Sequence, residues 1–269
     1  MKISDIISEV FDVNKKYFKG LKEGALISRL TSYKADEIYP MVHASEDICF
    51  VLSTGRCGTK LLTNIFESHG ECLPFHQPIP ELLHFNKYAY SNFESKNEEL
   101  TSMIDIARFE YIRKTILLDK HYIETNSNIT FFAHQLAKLF PNSRFIHVIR
   151  KPEGFVKSGY SRGWYTGKIS YDENKITTDD VDGVSWEKIS QIGKIAWLWN
   201  ETNSFVHNFK ATLPENRILT VTSEGLFKDP EVMGEIFKFL SLAPLDDSQM
   251  EKFLSKKVNA QQNSVDLTE

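Results

Sequence analysis

From Ile48 to Lys60 the sequence reads ICFVLSTGRCGTK, an apolar run that gives way to a short polar turn with two glycines. A continuous apolar run that stops at turn residues is typical of a buried strand in a parallel sheet. The residues that follow place Leu61, Leu62, Ile65 and Phe66 at helical spacing. The stretch therefore predicts a buried strand, a tight loop and a helix in direct succession.

The loop in this stretch is suited to bind an anion. Its backbone N–H groups converge on one point, and the start of the following helix adds partial positive charge there. Gly58 lets the backbone approach an anion closely, while Arg56 and Lys60 add formal charge. We therefore predict that a phosphate group binds to the loop, whose residues are Ser53, Thr54, Gly55, Arg56, Cys57, Gly58, Thr59 and Lys60.

A second segment has the same order of strand and helix. Phe145–Ile149 is a strongly apolar run, Arg150 follows it, and Pro152 suits the first turn of a helix that would carry Ser158. In an open α/β sheet, ligands bind beyond the carboxyl ends of the strands. Two anion-binding segments at one edge of the sheet predict a ligand with two phosphate groups.

Strands and helices alternate along most of the chain, which predicts an α/β fold: a three-layer sandwich around a central, mostly parallel sheet. We interpret residues 1–269 as one domain, with a helical extension at 1–40 and a polar, acidic segment at 166–184 that is predicted to be a mobile surface loop. The further predicted elements are strands at Cys72–Phe75, His121–Ile123 and Ile218–Val221, helices at 98–118, 129–140 and 185–209, and a helix capped by Asp229.

Composition restricts the classes of function. The formal net charge of −4 argues against a general nucleic-acid binder. Three cysteines without a CxxC pair predict neither a disulfide framework nor a structural zinc, and they favour a reducing compartment. No apolar run approaches the length of a membrane span, and acidic residues interrupt the N-terminal apolar positions. We expect a cytoplasmic protein without stable membrane insertion and leave a homo-oligomer open.

Together the two anion-binding segments resemble the motifs of sulfotransferases that use 3′-phosphoadenosine 5′-phosphosulfate (PAPS), in particular those of bacterial members. The first motif is matched by Arg56-Cys57-Gly58-Thr59-Lys60, and the second by Arg150 with Ser158 eight residues later. A late cofactor-binding stretch of the family is matched by Lys256-Lys257-Val258-Asn259. The resemblance spans about residues 47–260 and leaves the first 40 residues outside it.

The resemblance implies a P-loop fold of the nucleotide-kinase type and transfer of a sulfuryl group to a hydroxyl or amine of a small acceptor. It implies that the first loop binds the 5′-phosphosulfate and that Arg150 and Ser158 bind the 3′-phosphate, with Lys256 and Lys257 as further cofactor-binding residues. The product would be adenosine 3′,5′-bisphosphate. No metal ion is expected, since the sequence shows no carboxylate pair placed to hold one.

Three residues are candidates for the chemistry itself. Arg56 would neutralise charge on the leaving oxygen. Many relatives carry a glutamate just after the second strand as the general base, but this chain has Gln77, which cannot accept the proton. The adjacent His76, which titrates near neutrality, is the first candidate for the base, and Glu124 is the second.

Two other functions stay open on the sequence. A phosphotransferase of the nucleotide-kinase type would use a similar phosphate loop, although Thr59 stands where the GxxxxGK[ST] pattern has its lysine. A non-catalytic, nucleotide-binding relative would explain the glutamine at position 77. The acceptor itself is not predicted by any motif.

Overall fold

The computed structural model describes residues 33–168, 172–246 and Phe253. Most of the predicted helical extension therefore lies outside the described residues, as do Lys256 and Lys257. In chain order the described helices are α1 Ala35–His43, α2 Thr59–Ser68, α3 Leu83–Asn92, α4 Asn97–Leu117, α5 Ala133–Leu139, α6 Pro152–Tyr160, α7 Gln191–Lys210, α8 Ser223–Lys228 and α9 Pro230–Phe239. Short 3-10 helices lie at Ser127–Phe132, Trp186–Lys188 and Glu215–Arg217.

Five of the described strands form one parallel sheet: β1 Ile48–Ser53, β2 Cys72–Phe75, β3 His121–Glu124, β4 Arg144–Ile149 and β7 Ile218–Thr222. Their order across the sheet is β2-β3-β1-β4-β7. A separate antiparallel pair consists of β5 Asp180–Val181 and β6 Val184–Ser185. The central parallel sheet, with a glycine-containing loop between β1 and α2, confirms the predicted fold class and its P-loop-like arrangement.

Helices cover both faces of the sheet. Successive side chains of a strand point to opposite faces, so Phe50 and Leu52 of β1 join one core while Cys49 and Val51 join the other. The Phe50 core is packed beneath helices α1 and α3–α7, and the Val51 core beneath α2, α8 and α9. The result is the three-layer sandwich that the alternation of elements predicted.

Several predicted elements agree with the structure and others differ. The helix after the first loop spans Thr59–Ser68, and Asp229 caps α9 by accepting from the Glu231 N–H. The predicted helix at 129–140 is a 3-10 helix followed by α5, and the one at 185–209 begins only at Gln191. Within the predicted surface loop 166–184, Lys175 and Ile176 are buried. Its mobility stays a prediction.

None of the helices in the described part of the chain is long and apolar enough to cross a membrane. The same residues contain no group of three or more His, Cys, Asp or Glu side chains that could hold a metal ion.

Candidate functional site

The loop between β1 and α2 is shaped by residues with positive φ. Gly55 has φ 78°, Arg56 has φ 58° and Gly58 has φ 91°. Glycine adopts this region freely, whereas an arginine there is uncommon. A Cβ at Gly58 would also lie 3.1 Å from the Phe227 ring. The turn therefore requires glycine at position 58, as the sequence suggested.

Hydrogen bonds fix the loop to the end of β1. The Gly55 N–H donates to Ser53 Oγ at 3.1 Å, and the Cys57 thiol donates to the Gly55 carbonyl at 3.0 Å. Thr130 Oγ1 accepts from the Ser53 N–H and donates to the Ser53 carbonyl. Burial raises the pKa of Cys57 to about 11. Its thiol is thus a structural hydrogen-bond donor rather than a thiolate nucleophile.

The second segment meets the first directly. Arg150 follows β4, the strand next to β1, and its Nη1 donates to the Arg56 carbonyl at 2.9 Å. The Trp199 indole N–H of α7 donates to the Arg150 carbonyl at 2.8 Å and so holds the backbone at this strand end. The two segments therefore lie at one edge of the sheet and in hydrogen-bond contact.

A third arginine joins this edge. Ser158 is buried on α6, and Arg162, just after the helix, donates from Nη1 to Ser158 Oγ at 2.9 Å and to its carbonyl at 3.1 Å. Burial lowers the pKa of Arg162, and the charges of Arg56 and Arg150 lower it further. The sequence pointed to Ser158 and gave Arg162 no role in the site, although a spacing of four residues can bring two side chains together at the end of a helix.

Among the described residues, no carboxylate pairs with the arginines at this edge. Burial lowers the pKa of Arg56, and the Arg150 charge adds to that shift. Within the described residues no carboxylate forms an ion pair with Arg56, Arg150 or Arg162, and Arg56 Nε is buried without a hydrogen-bond partner. The three arginines are half-buried, and charges that are removed from water are normally paired, so the cluster fits an anionic ligand with phosphate groups.

His76 lies just after β2, at the neighbouring part of the same edge. Its Nδ1 is 2.8 Å from the Thr125 carbonyl, which can only accept, so Nδ1 carries the proton and Nε2 carries the lone pair. Burial lowers the pKa of His76; the hydrogen bond to Thr125 opposes this shift and the Lys60 charge adds to it. The side chain is therefore a neutral imidazole at pH 7, with an acceptor nitrogen.

Glu124 has a different environment from His76. Its carboxylate is fully buried and accepts from Arg108 Nε at 2.8 Å, Tyr122 OH at 2.8 Å and Asn126 Nδ2 at 3.0 Å. Arg108 is also fully buried; burial alone would lower its pKa, and the Glu124 charge raises it instead. Glu124 thus belongs to a buried ion-pair network beneath the edge, in which Arg108 Nη2 has no hydrogen-bond partner among the described residues.

Comparisons with known proteins identify the family of the chain. The protein-family model with the description "Sulfotransferase family" matches residues 49–247 of this chain. No curated protein sequence gives a significant match.

Among solved structures, the sulfotransferase domain from the curacin biosynthetic pathway has a TM-score of 0.51 and 15% identity, covering 78% of this chain and 78% of that chain. At that identity, the similarity concerns the fold. The sulfotransferase domain from the Synechococcus PCC 7002 olefin synthase has a TM-score of 0.48 and 16% identity, covering 80% of this chain and 90% of that chain. Mouse sulfotransferase SULT7A1, solved as a complex with PAP, has a TM-score of 0.39 and 17% identity, and the alignment covers 86% of this chain and 75% of that chain.

Proposed function

Because the chain belongs to the sulfotransferase family, we propose that it transfers a sulfuryl group from PAPS to a hydroxyl or amine of a small acceptor. The observation that carries the proposal is the 2.9 Å hydrogen bond from Arg150 Nη1 to the Arg56 carbonyl, which brings together the two segments that are predicted to bind anions. A ligand with phosphate groups at both ends would offset the charge of both segments.

The two segments would divide the donor between them. The loop Ser53–Lys60 would hold the 5′-phosphosulfate through its backbone N–H groups and the Thr59 hydroxyl. Arg150 and Ser158 would hold the 3′-phosphate, and Arg162, which already bonds to Ser158 Oγ, would supply a third cation there. Lys256 and Lys257 stay further predicted contacts of the nucleotide.

Arg56 and His76 would carry the chemistry. In the reaction, the bond from sulfur to the oxygen shared with the 5′-phosphate breaks, and a bond from sulfur to the acceptor oxygen or nitrogen forms. Arg56, whose buried Nε has no hydrogen-bond partner in the part of the chain that the structure describes, would stabilise the charge that develops on the leaving oxygen. His76 Nε2 would take the acceptor proton, leaving adenosine 3′,5′-bisphosphate as the second product.

His76 is a better candidate for the base than Glu124. Both oxygens of the Glu124 carboxylate accept hydrogen bonds from buried donors, so an acceptor cannot reach them without breaking the network. His76 keeps Nε2 available while Thr125 orients its ring. With Gln77 in the place of the glutamate that many relatives carry, the protein still has a general base if the neighbouring His76 takes that role.

A ligand-dependent stability measurement tests the donor class. Adenosine 3′,5′-bisphosphate should raise the melting temperature with a saturable dose dependence, because a ligand that binds only the folded state stabilises it by mass action. The Arg150→Ala variant should lose most of that increase. ATP with magnesium is the comparison ligand: stabilisation by ATP–magnesium without any by the bisphosphate would favour a phosphotransferase and contradict the proposal.

Turnover is then measured with sulfur-labelled PAPS against a panel of small phenols, alcohols and amines. Transfer of label to any acceptor supports the proposed reaction. Binding of the bisphosphate with no transfer to any member of a broad panel would favour a nucleotide-binding relative without catalysis.

A further inference from the structure

Lys175 is a buried lysine in the segment between α6 and α7. Its exposure is 8%, its ammonium lies 4.3 Å from the centroid of the Trp164 ring, and it donates to Asn174 Oδ1. In the part of the chain that the structure describes, it has no ion pair with a carboxylate. A buried ammonium that is not paired with an anion is costly, so its position calls for an explanation.

The segment that carries Lys175 is fixed at the edge of the sheet where the donor is proposed to bind. Asn174 Nδ2 donates to Asn128 Oδ1 at 2.8 Å, and the Tyr165 hydroxyl donates to the Ile176 carbonyl at 2.7 Å. Asn128 follows Ser127, whose Oγ would lie 3.2 Å from a Cβ at Gly55. A short chain of contacts thus connects Lys175 to the loop after β1.

Trp164 connects the same lysine to the second segment. A Cβ at Gly159 would lie 2.5 Å from the Trp164 ring, so the indole packs against the backbone directly after Ser158. Phe155 of α6 also packs against the Trp164 ring, with the ring centroids 5.5 Å apart. The lysine therefore lies on an aromatic surface that is held against α6.

Charged neighbours of both signs act on Lys175. Burial lowers its pKa to about 8; Asp172 opposes the shift, while Lys87 and Arg56 add to it. The hydrogen bond from Asn174 to Asn128 and the approach of Ser127 Oγ to Gly55 place this segment beside the loop that is proposed to hold the 5′ side of the nucleotide.

We propose that Lys175 is a further cation of the transfer site, contributed by the segment Asp172–Ile176, and that it binds the sulfuryl oxygens of the donor opposite Arg56. This inference rests on the proposed function. An anion between Arg56 and Lys175 would offset the burial of both charges, and a donated hydrogen bond to a sulfuryl oxygen would strengthen as charge moves to the reacting group.

The test compares two nucleotides that differ only in the sulfuryl group. Lys175→Met keeps the aliphatic stem against Trp164 and removes the charge. In calorimetric titrations, the variant should bind PAPS about tenfold more weakly or worse, while its affinity for adenosine 3′,5′-bisphosphate should change less than about twofold. Lys194→Met is the matched control, because Lys194 lies 5.2 Å from the Trp186 ring. It should change neither affinity.

Melting temperature separates this role from a structural one. Removing an unpaired buried charge should leave the ligand-free melting temperature of Lys175→Met unchanged or higher. A clearly lower melting temperature, an equal loss of affinity for both nucleotides, or no loss for either would each overturn the inference. If the wild-type protein binds neither nucleotide, the proposed function itself fails; if it binds both and Lys175→Met behaves as wild type, only the role of Lys175 fails.

Discussion

His76 is a histidine whose tautomer is set by one neighbour. Since its pKa is lowered from 6.5 by burial, the folded protein keeps the ring neutral down to lower pH than a free histidine. Protonation would remove the lone pair on Nε2 and with it the base. We therefore predict that kcat/KM, as measured in initial-rate profiles, rises with pH through a pKa below 6.5 and is then level to about pH 7, below the pKa of about 8 of Lys175.

The His76→Ala variant tests the same assignment. Loss of a general base typically costs about 10²- to 10⁴-fold in rate, while affinity for adenosine 3′,5′-bisphosphate should stay within about twofold. The acidic limb of the pH profile should also disappear in the variant. Wild-type turnover in His76→Ala would exclude it as the base.

Glu124 and Arg108 form an ion pair with both side chains at 0% exposure. Replacing one member of a buried pair leaves the other charge unpaired, which typically costs about 3–5 kcal/mol. We predict that Glu124→Ala lowers the free energy of unfolding by that amount in urea titrations. Glu110→Ala is the control, because Glu110 lies on the helix that carries Arg108 but is 68% exposed beside Arg113, and its replacement should cost less than about 1 kcal/mol.

The Glu124→Ala variant also separates a role of this carboxylate in stability from a role in catalysis. If Glu124→Ala were nearly as stable as wild type yet inactive, the carboxylate would be the base and the assignment to His76 would be wrong.

At the scale of elements, the loop and helix α2 form one unit whose geometry depends on Gly58. Its φ of 91° is strained for any residue with a side chain, and a Cβ would meet Phe227 of α8 at 3.1 Å. We predict that Gly58→Ala destabilises the protein by about 1–3 kcal/mol and weakens binding of adenosine 3′,5′-bisphosphate at least tenfold, because the N–H groups of the loop would shift.

Gly70→Ala provides the matched control. A Cβ at Gly70 would meet nothing within 4 Å, and its φ is not in the positive region. The substitution should leave both stability and binding nearly unchanged. Equal behaviour of the two variants would show that the loop does not need its left-handed turn.

Elements with a strong local pattern could be predicted from the sequence, and those held by distant contacts could not. The apolar runs of β1 and β4 and the spacing of α2 are local signals, and all three elements were predicted. Helix α3 Leu83–Asn92 was not predicted, because it begins after Leu82 in a left-handed conformation with no side-chain cap. Asn86 within it bonds to the Asn174 carbonyl, 88 residues away.

The candidate site shows the same division. Its two anion-binding segments have local signatures, so their residues could be proposed and their adjacency at one edge anticipated. Lys175 could not, because its burial depends on Trp164 and on the asparagines that fix the segment, and no spacing in the sequence shows those contacts. The role of Glu124 depends likewise on Arg108, 16 residues earlier on α4.

At the scale of the whole molecule, one sheet serves both cores. Phe50 and Val51 are adjacent in β1 but belong to opposite cores, so neither layer of helices can separate without exposing the same strands. The four tryptophans all lie between residues 164 and 199, and Trp164 and Trp197 pack with the Phe50 core. Helices α2 and α9 pack on the Val51 core and contribute to the far-ultraviolet circular dichroism.

We therefore predict that tryptophan fluorescence and circular dichroism report one coincident unfolding transition in urea, as expected for a single cooperative unit. Adenosine 3′,5′-bisphosphate at 100 times its dissociation constant should move both curves together by about 2.7 kcal/mol without changing their slopes. The Arg150→Ala variant should unfold in one transition but show little of this shift. Separate transitions for the two signals would mean that the layer of α2 and α9 unfolds independently, which would contradict a single domain built on a shared sheet.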